Sequence, residues 1–442
     1  MRKVKSRSLS IYILVAVAIL GMGFYVGRYI VFGSQWASAP FNQTVFQRGI
    51  LNIGVVADRN GVILADVTDG RRTFASSTDV RRSTLHAVGD LEGNVGTGAL
   101  SAFASDLAGY NLITGSFSLS SSGSRVDLTI DSELNRIAHR ALDGRRGVVM
   151  VSNYKTGEIL CMVSNPTFDP ANPPGNVNTP ALEGVYVNRA IQSAYTPGST
   201  FKLVTAAAAL ENIRHVHDLE FTCTGELITA RGTITCPGEH GTIGIDRGMA
   251  VSCNVVYGQL AIDLGGGIMA EYAEKLGLSG RTTVSGMQTV SGNFDEAAPD
   301  SADLAWSGVG QFTNMVNPAT MLRFVGAIAN DGIAVELHYK QRSWIASLFP
   351  PRSTRILNRN TAGELGLIME LQNRASFPNL EIHAKSGTAQ VGGGNDPHAW
   401  YVGYITNENY PLAFVVIVEN GGSGTGVAAP IANRVLQAAV GG

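Results

Sequence analysis

The sequence predicts an α+β fold for residues 145–442, behind a membrane-crossing segment and a small β-rich module. Three observations carry this reading. Two β-like runs, Gly147–Val151 and Glu158–Val163, flank the turn sequence Asn153-Tyr154-Lys155-Thr156-Gly157. Helix-like apolar spacing or strong helix formers then mark Phe201–Leu210, Met249–Leu264, Ile268–Leu276, Ala319–Ala329 and Thr361–Leu371. Three more strands, Ile382–Gln390, Ala399–Ile405 and Leu412–Glu419, and a last helix, Ala428–Ala439, close the region, so both of its ends contribute to one sheet.

Composition fits a globular body. Of 442 residues 45% are hydrophobic and 15% charged, which excludes a disordered chain, a coiled coil and a collagen-like repeat. The formal charge is −2, but six cations precede the first carboxylate, Asp58; beyond them stand 27 cations against 35 carboxylates, a net of −8. An acidic body lacks the basic stripe that tracks phosphates, so no nucleic acid is expected as a partner.

Four of those cations, Arg2, Lys3, Lys5 and Arg7, precede an uncharged run of 18 residues, Leu9–Val26. Such a run spans about 27 Å as a helix, close to a hydrocarbon core of about 30 Å, and Arg28 can snorkel beyond it. Residues 9–32 therefore read as a single-pass anchor in the cell membrane, with residues 1–8 cytoplasmic and the remainder extracytoplasmic. Ala37-Ser38-Ala39 fits a signal-peptide cleavage site, yet the apolar run is longer than such signals carry.

Residues 40–142 read as a non-catalytic module and its linker. Short runs at Ile53–Val56 and Val62–Leu64 meet at Asp58-Arg59-Asn60-Gly61, a hairpin signal; Val126, Leu128 and Ile130 alternate as a strand, and Asp131 caps a helix through Leu142. Among four cysteines, Cys161 and Cys253 sit in apolar patterns as buried thiols, whereas Cys223 and Cys236 flank a polar loop and could pair as a disulfide. His215, His217 and His240 lie nearby, but no Cys-x2-Cys or His-x3-His pattern completes a ligand set, so no metal and no cofactor is expected.

Three segments could carry chemistry. Ser199-Thr200-Phe201-Lys202 follows the break Thr196-Pro197-Gly198, and a spacing of i, i+3 would turn the Lys202 amine toward the Ser199 hydroxyl. Ser252-Cys253-Asn254 places two polar groups in an apolar stretch that reads as a helix or helix junction. Lys385-Ser386-Gly387-Thr388 lies on the first closing strand, where Gly387 permits close approach and Lys385 supplies a cation. Taken singly, each has a plainer structural reading: a capped helix with an exposed lysine, satisfied internal polar groups, a strand with a solvated lysine.

Together and in this order they match the penicillin-binding and β-lactamase signature. From about Arg48 onward the chain resembles the class B penicillin-binding proteins. Asp58-Arg59-Asn60-Gly61, Tyr195-Thr196-Pro197-Gly198, Gly308-Val309-Gly310-Gln311 and His398-Ala399-Trp400-Tyr401-Val402-Gly403 extend the resemblance, whereas His86 and Gly89 echo it only loosely. It implies an antiparallel sheet with helices on both faces and a D,D-transpeptidase acting on peptidoglycan stem peptides and acylated by β-lactam antibiotics. Ser199 would be the nucleophile, Lys202 its base and Ser252 a proton relay. Asn254 would hold the substrate amide, Lys385 with Ser386 and Thr388 the carboxylate, and the backbone N–H groups of Ser199 and Thr388 the oxyanion, with Gly387 giving room. Cys253 would merely pack. No glycosyltransferase region precedes the anchor, so the chain is expected to cross-link glycan strands without polymerising them, and the resemblance implies a SEDS-type glycosyltransferase as its membrane partner. A D,D-carboxypeptidase, a β-lactamase-type hydrolase and a membrane β-lactam sensor are the competing readings.

Overall fold

The structure, a computed structural model, describes residues 2–37, 54–69, 71–107, 124–370, 381–407 and 409–441. The start of the expected strand at Ile53, the Ser-rich linker Ser118–Gly123 and the helix end at Leu371 lie outside them. The first element, α1 (Arg2–Ala37), contains an apolar stretch, Ile11–Phe32, long enough to cross a membrane.

Next comes a four-stranded sheet of β1 (Val55–Ala57), β2 (Ile63–Thr68), β3 (Arg71–Phe74) and, after helix α2 (Thr78–Val88), β4 (Arg125–Asp127). The strand order is β3-β2-β1-β4, with β4 parallel to β1. Asp58 explains the sharp turn between β1 and β2. Its Oδ1 accepts the backbone N–H of Asn60 and of Val62, both at 2.8 Å, while Oδ2 accepts the Ser132 hydroxyl at 2.7 Å. One buried carboxylate thus folds the hairpin and ties it to α3 (Ser132–Leu142), whose N-cap is Asp131. Although the sequence groups α3 with the module, its buried residues pack in the same core as the C-terminal helix.

The body that follows is built on five antiparallel strands. These are β5 (Gly147–Asn153), β6 (Ile159–Asn165), β11 (Ile382–Ala389), β12 (His398–Ile405) and β13 (Leu412–Val418), in the order β11-β12-β13-β5-β6. Between β6 and β11 run α4 (Lys202–Asn212), the small hairpins β7 (Phe221–Cys223) with β10 (Gly241–Ile243) and β8 (Glu226–Thr229) with β9 (Gly232–Thr235), and then α5 (Ile245–Ala250) and α6 (Asn254–Lys275). Helices α7 (Ala302–Gly308), α8 (Pro318–Ala329) and α9 (Arg359–Glu370) complete that stretch, and α10 (Ala429–Gly441) ends the chain. Period-two alternation assigns the faces: Trp400, Val402, Tyr404, Val415 and Ile417 pack toward α4, α6 and α8, whereas Ala399, Tyr401, Phe414 and Val416 pack toward α3 and α10.

Two expectations need correction. The predicted helix Met249–Leu264 is broken at Ser252, whose φ of +56° cannot continue a helix, and what was read as one polar loop around Cys223–Cys236 holds paired strands. Beyond the break, Gly265, at φ +81° and ψ 157°, kinks α6 into two helical parts, which keeps the expected division between the segments ending at Leu264 and starting at Ile268. Removing the Asp58 carboxylate leaves its buried donors unsatisfied. Asp58→Ala in the full chain is expected to cost about 3 kcal/mol, read as a lower denaturation midpoint; an unchanged midpoint would refute the clasp.

Candidate active site

Three separate stretches converge on Ser199. Ser199 stands in the 3-10 turn Gly198–Phe201, which leads directly into α4, and Lys202 is the first residue of that helix. Helical spacing brings Lys202 Nζ to 3.1 Å from Ser199 Oγ. Lys202 is fully buried, and burial holds its pKa down to about 7, against a smaller opposing pull from Cys236 and Cys253.

The surrounding acceptors suit the neutral amine. The Ser252 carbonyl, at 2.7 Å, and Asn254 Oδ1, at 2.8 Å, can only accept, so they take the two N–H groups of an uncharged amine. Its lone pair is then left for the Ser199 hydroxyl proton. The break at Ser252 makes this possible: the left-handed residue reverses the chain between α5 and α6 and turns its carbonyl, its hydroxyl and Asn254 toward one nitrogen. Asn254 is itself steadied by donating Nδ2 to the Thr235 carbonyl at 2.8 Å.

On the other side, Lys385 is also fully buried, contrary to the solvated alternative. Its Nζ lies 3.0 Å from Ser252 Oγ and 2.9 Å from its neighbour's carbonyl, Ser386 O. Ser252 Oγ, 3.2 Å from Lys202 Nζ, therefore bridges the two lysines. Burial, with the nearby Lys202 adding to it, pushes the Lys385 pKa well down. Ser386 and Thr388 face outward on β11, the edge strand. Gly387 is required behind them, because a Cβ there would lie 2.9 Å from the Pro197 carbonyl and stop β11 from seating against the Ser199 turn.

The cleft above these groups encloses about 400 Å³ and is lined by Ser199, Ser252, Asn254, Ser386 and Thr388, with Lys202 and Lys385 beneath its floor. The three motifs singled out in the sequence, with Ser199, Lys202, Ser252, Asn254, Lys385, Ser386, Gly387 and Thr388, are thus in one place. Residues 147–437 match the family described as penicillin binding protein transpeptidase domain. The chain belongs to this family.

Known members agree with it in sequence and shape. The peptidoglycan D,D-transpeptidase PbpA of Mycobacterium tuberculosis is 28% identical over 368 residues, covering 72% of this chain and 73% of the relative. A ceftriaxone acyl-enzyme structure of penicillin-binding protein A from M. tuberculosis superposes with a TM-score of 0.75 at 25% identity, over 88% of this chain and 99% of that one. A structure of a peptidoglycan synthase complex, described as coordinating polymerization and crosslinking, matches with a TM-score of 0.63 at 26% identity, over 72% of this chain and 63% of that one.

In this transpeptidase the turn bearing Ser199 is held by residues outside the three motifs. Gly198 N–H donates to the Gly310 carbonyl at 2.9 Å, and a Cβ on Gly310 would fall 2.1 Å from the Gly198 carbonyl, in a backbone with φ +81°. Trp400 Nε1 donates to the Thr196 carbonyl at 3.0 Å, while Tyr195 Oη and Arg189 Nε both donate to Glu419 Oε1 at 2.7 Å. The wall residues Thr235, Pro237 and Trp306 went unnoticed in the sequence, where only Gly308-Val309-Gly310-Gln311 signalled this side.

Cys161 and Cys253 are buried free thiols, as expected, while Cys223 and Cys236 are also free, so no disulfide joins them. The sulfurs of Cys223, Cys236 and Cys253 and a ring nitrogen of His240 lie within 4.8 Å of one another, a ligand set assembled without any short-range spacing signal. Cys253 and backbone N–H groups hold the Cys236 thiol below its usual range. A Gly310→Ala substitution must displace the turn bearing Ser199; it is expected to destabilise the full chain by about 2 kcal/mol or more and to slow acylation, checked by thermal unfolding and penicillin labelling.

Proposed function

We propose that this class B penicillin-binding protein is a peptidoglycan D,D-transpeptidase that cross-links stem peptides through an acyl intermediate on Ser199. The observation that carries the reading is a buried amine whose two N–H groups are engaged by acceptors and whose lone pair is left for the Ser199 hydroxyl.

Ser199 Oγ would attack the carbonyl of the penultimate D-Ala while its proton passes to Lys202 Nζ. The oxyanion would be met by the backbone N–H groups of Ser199 and Thr388, an arrangement that can contribute several kcal/mol. Collapse would expel the terminal D-Ala, whose amine takes a proton through Ser252, the hydroxyl between the two lysines. An amine of a neighbouring stem peptide then reverses the sequence, forming the new amide and returning the proton to Ser199. Asn254 has a second role besides holding the substrate amide: its oxygen fixes the amine of Lys202. Lys385 would act on the substrate carboxylate from below, with Ser386 and Thr388 making the direct contacts and Gly387 keeping the edge close to the nucleophile. A β-lactam would acylate the same oxygen. Each step is a proton or acyl transfer between groups already named.

Helix α1 would anchor the enzyme with its N-terminus in the cytoplasm and the catalytic body outside, where peptidoglycan lies. The synthase complex among the structural matches supports a SEDS-type glycosyltransferase as partner. Gly21, Gly23 and Gly27 of α1 have open space where side chains would stand, which suits close helix packing in the membrane.

Ser199→Ala is expected to abolish covalent labelling by a fluorescent penicillin without changing thermal unfolding, and persistent labelling would mean the nucleophile is another residue. The penicillin adduct should be long-lived, since rapid release of penicilloate would identify a hydrolase. Because the base must be neutral, the acylation rate constant should rise with pH through about 7 and then level off. Lys202→Ala should lower it by on the order of 100-fold to 10,000-fold and remove that inflection.

A further inference from the structure

We infer that Cys223, Cys236, His240 and Cys253 bind one zinc ion, and that this ion clamps the wall of the active-site cleft that carries Ser252 and Asn254. The four ligand atoms come from separate elements: the end of β7, the residue after β9, the residue before β10 and the N-cap of α6. Their order is Cys-x12-Cys-x3-His-x12-Cys, so only Cys236 and His240 are neighbours in sequence, joined by the tight Pro237-Gly238-Glu239 loop.

Distances select the metal geometry. Around a tetrahedral zinc with Zn–S near 2.3 Å and Zn–N near 2.05 Å, sulfurs stand about 3.8 Å apart and a sulfur and a nitrogen about 3.6 Å apart. Cys236 Sγ lies 3.9 Å from Cys253 Sγ, and His240 Nδ1 lies 3.4 Å from Cys223 Sγ and 3.5 Å from Cys236 Sγ. These three distances match edges of that tetrahedron, and the other pairs lie within 4.8 Å. They are far longer than the roughly 2.0 Å of a sulfur–sulfur bond. Three soft thiolates with one imidazole favour zinc over hard cations such as calcium and magnesium. Binding would form three Zn–S bonds and one Zn–N bond and release three thiol protons to solvent, leaving a neutral imidazole whose other nitrogen keeps its hydrogen.

The backbone holds the ligands independently of any ion. Cys236 N–H donates to Gly225 O at 2.8 Å and His240 N–H to Cys223 O at 3.1 Å, fixing the loop that presents them. The Asn254 N–H donates to Cys236 Sγ at 3.3 Å, an outer contact of the kind that orients a thiolate on zinc. Cys223 and Cys253 are buried, while Cys236 and His240 are half-exposed and leave a way in. Cys253 stands between Ser252 and Asn254, and Cys236 and Thr235 line the cleft. An ion here would therefore act on the reaction only as a positioning element, by fixing the reversal that aims the Ser252 carbonyl and Asn254 Oδ1 at Lys202.

The test uses tag-free full-length protein purified in detergent without chelator. Native mass spectrometry should show one zinc per chain, lost in Cys236→Ser and in His240→Ala and kept in Cys161→Ser. Should those ligand variants fold poorly, wild-type protein stripped by chelation and loaded with cobalt should show thiolate-to-cobalt charge-transfer and tetrahedral d–d bands. Equal metal content in wild type and Cys236→Ser, a cobalt spectrum without thiolate bands, or a mass lower by two hydrogens, marking a disulfide, would overturn the site. Chelation should slow penicillin acylation by on the order of 10-fold to 100-fold, with recovery on adding zinc; acylation unaffected by metal removal would overturn the clamp. Metal content and cobalt bands are read without any reaction at Ser199, so they fail or hold separately from the transpeptidase reading.

Discussion

The structure turns on burying an amine next to a serine without giving it a counter-ion. A charged ammonium removed from water costs several kcal/mol, and among the described residues no carboxylate hydrogen-bonds to Lys202 Nζ to offset it. What the fold supplies is a set of neutral oxygens at hydrogen-bonding distance, which favours the uncharged base. That demand explains the chain reversal at Ser252: a residue in the helical region would carry its carbonyl along the helix axis and away from the amine. The strain of one left-handed serine is stabilised by flanking hydrogen bonds, Ser252 N–H to Met249 O and Cys253 N–H to Gly248 O.

The same demand shapes the packing. Lys202 can be buried because α4 is enclosed on every side, with Leu203, Val204 and Ala206 through Ala209 all buried beneath the sheet. Small side chains let α4 lie close to α6 and α7, and Thr205 reaches across to the Gly308 carbonyl at 2.6 Å. Gly310 and Gly387 meet the nucleophile turn from opposite sides. Neither could carry a Cβ without moving Ser199, so the precision of the site rests on absent atoms as much as on the side chains that face the cleft.

Much of this was legible because it is periodic or local. The last two closing strands are nearly continuous apolar runs, as strands covered on both faces are, and the observed spans of all three, Ile382–Ala389, His398–Ile405 and Leu412–Val418, differ from the expected ones by a residue at most. Ser199 and Lys202 are three residues apart, so helical geometry alone pairs them. What escaped has no local marker. A serine in the left-handed region looks like any serine, so the sequence leaves Ser252 open between helix and junction. The burial of Lys385 follows from a sheet face and a neighbouring turn nearly two hundred residues away in sequence. The Cys223, Cys236, His240 and Cys253 cluster depends on two small hairpins folding against the start of α6, a tertiary event that no spacing rule for adjacent ligands can detect.

Two buried amines on one hydroxyl also constrain how charge enters the site. Lys202 and Lys385 both touch Ser252 Oγ, and like charges at such range repel, so the site favours at most one protonated lysine. A substrate carboxylate arriving near Ser386 and Thr388 changes that balance, because an anion above β11 favours the charged form of the lysine directly behind it. In the proposed mechanism the proton would settle on Lys385, and its repulsion across Ser252 would keep Lys202 neutral. Binding the correct end of a peptide would in this way prepare the base for its task, tying recognition of the carboxylate to activation of Ser199 through a single hydroxyl oxygen.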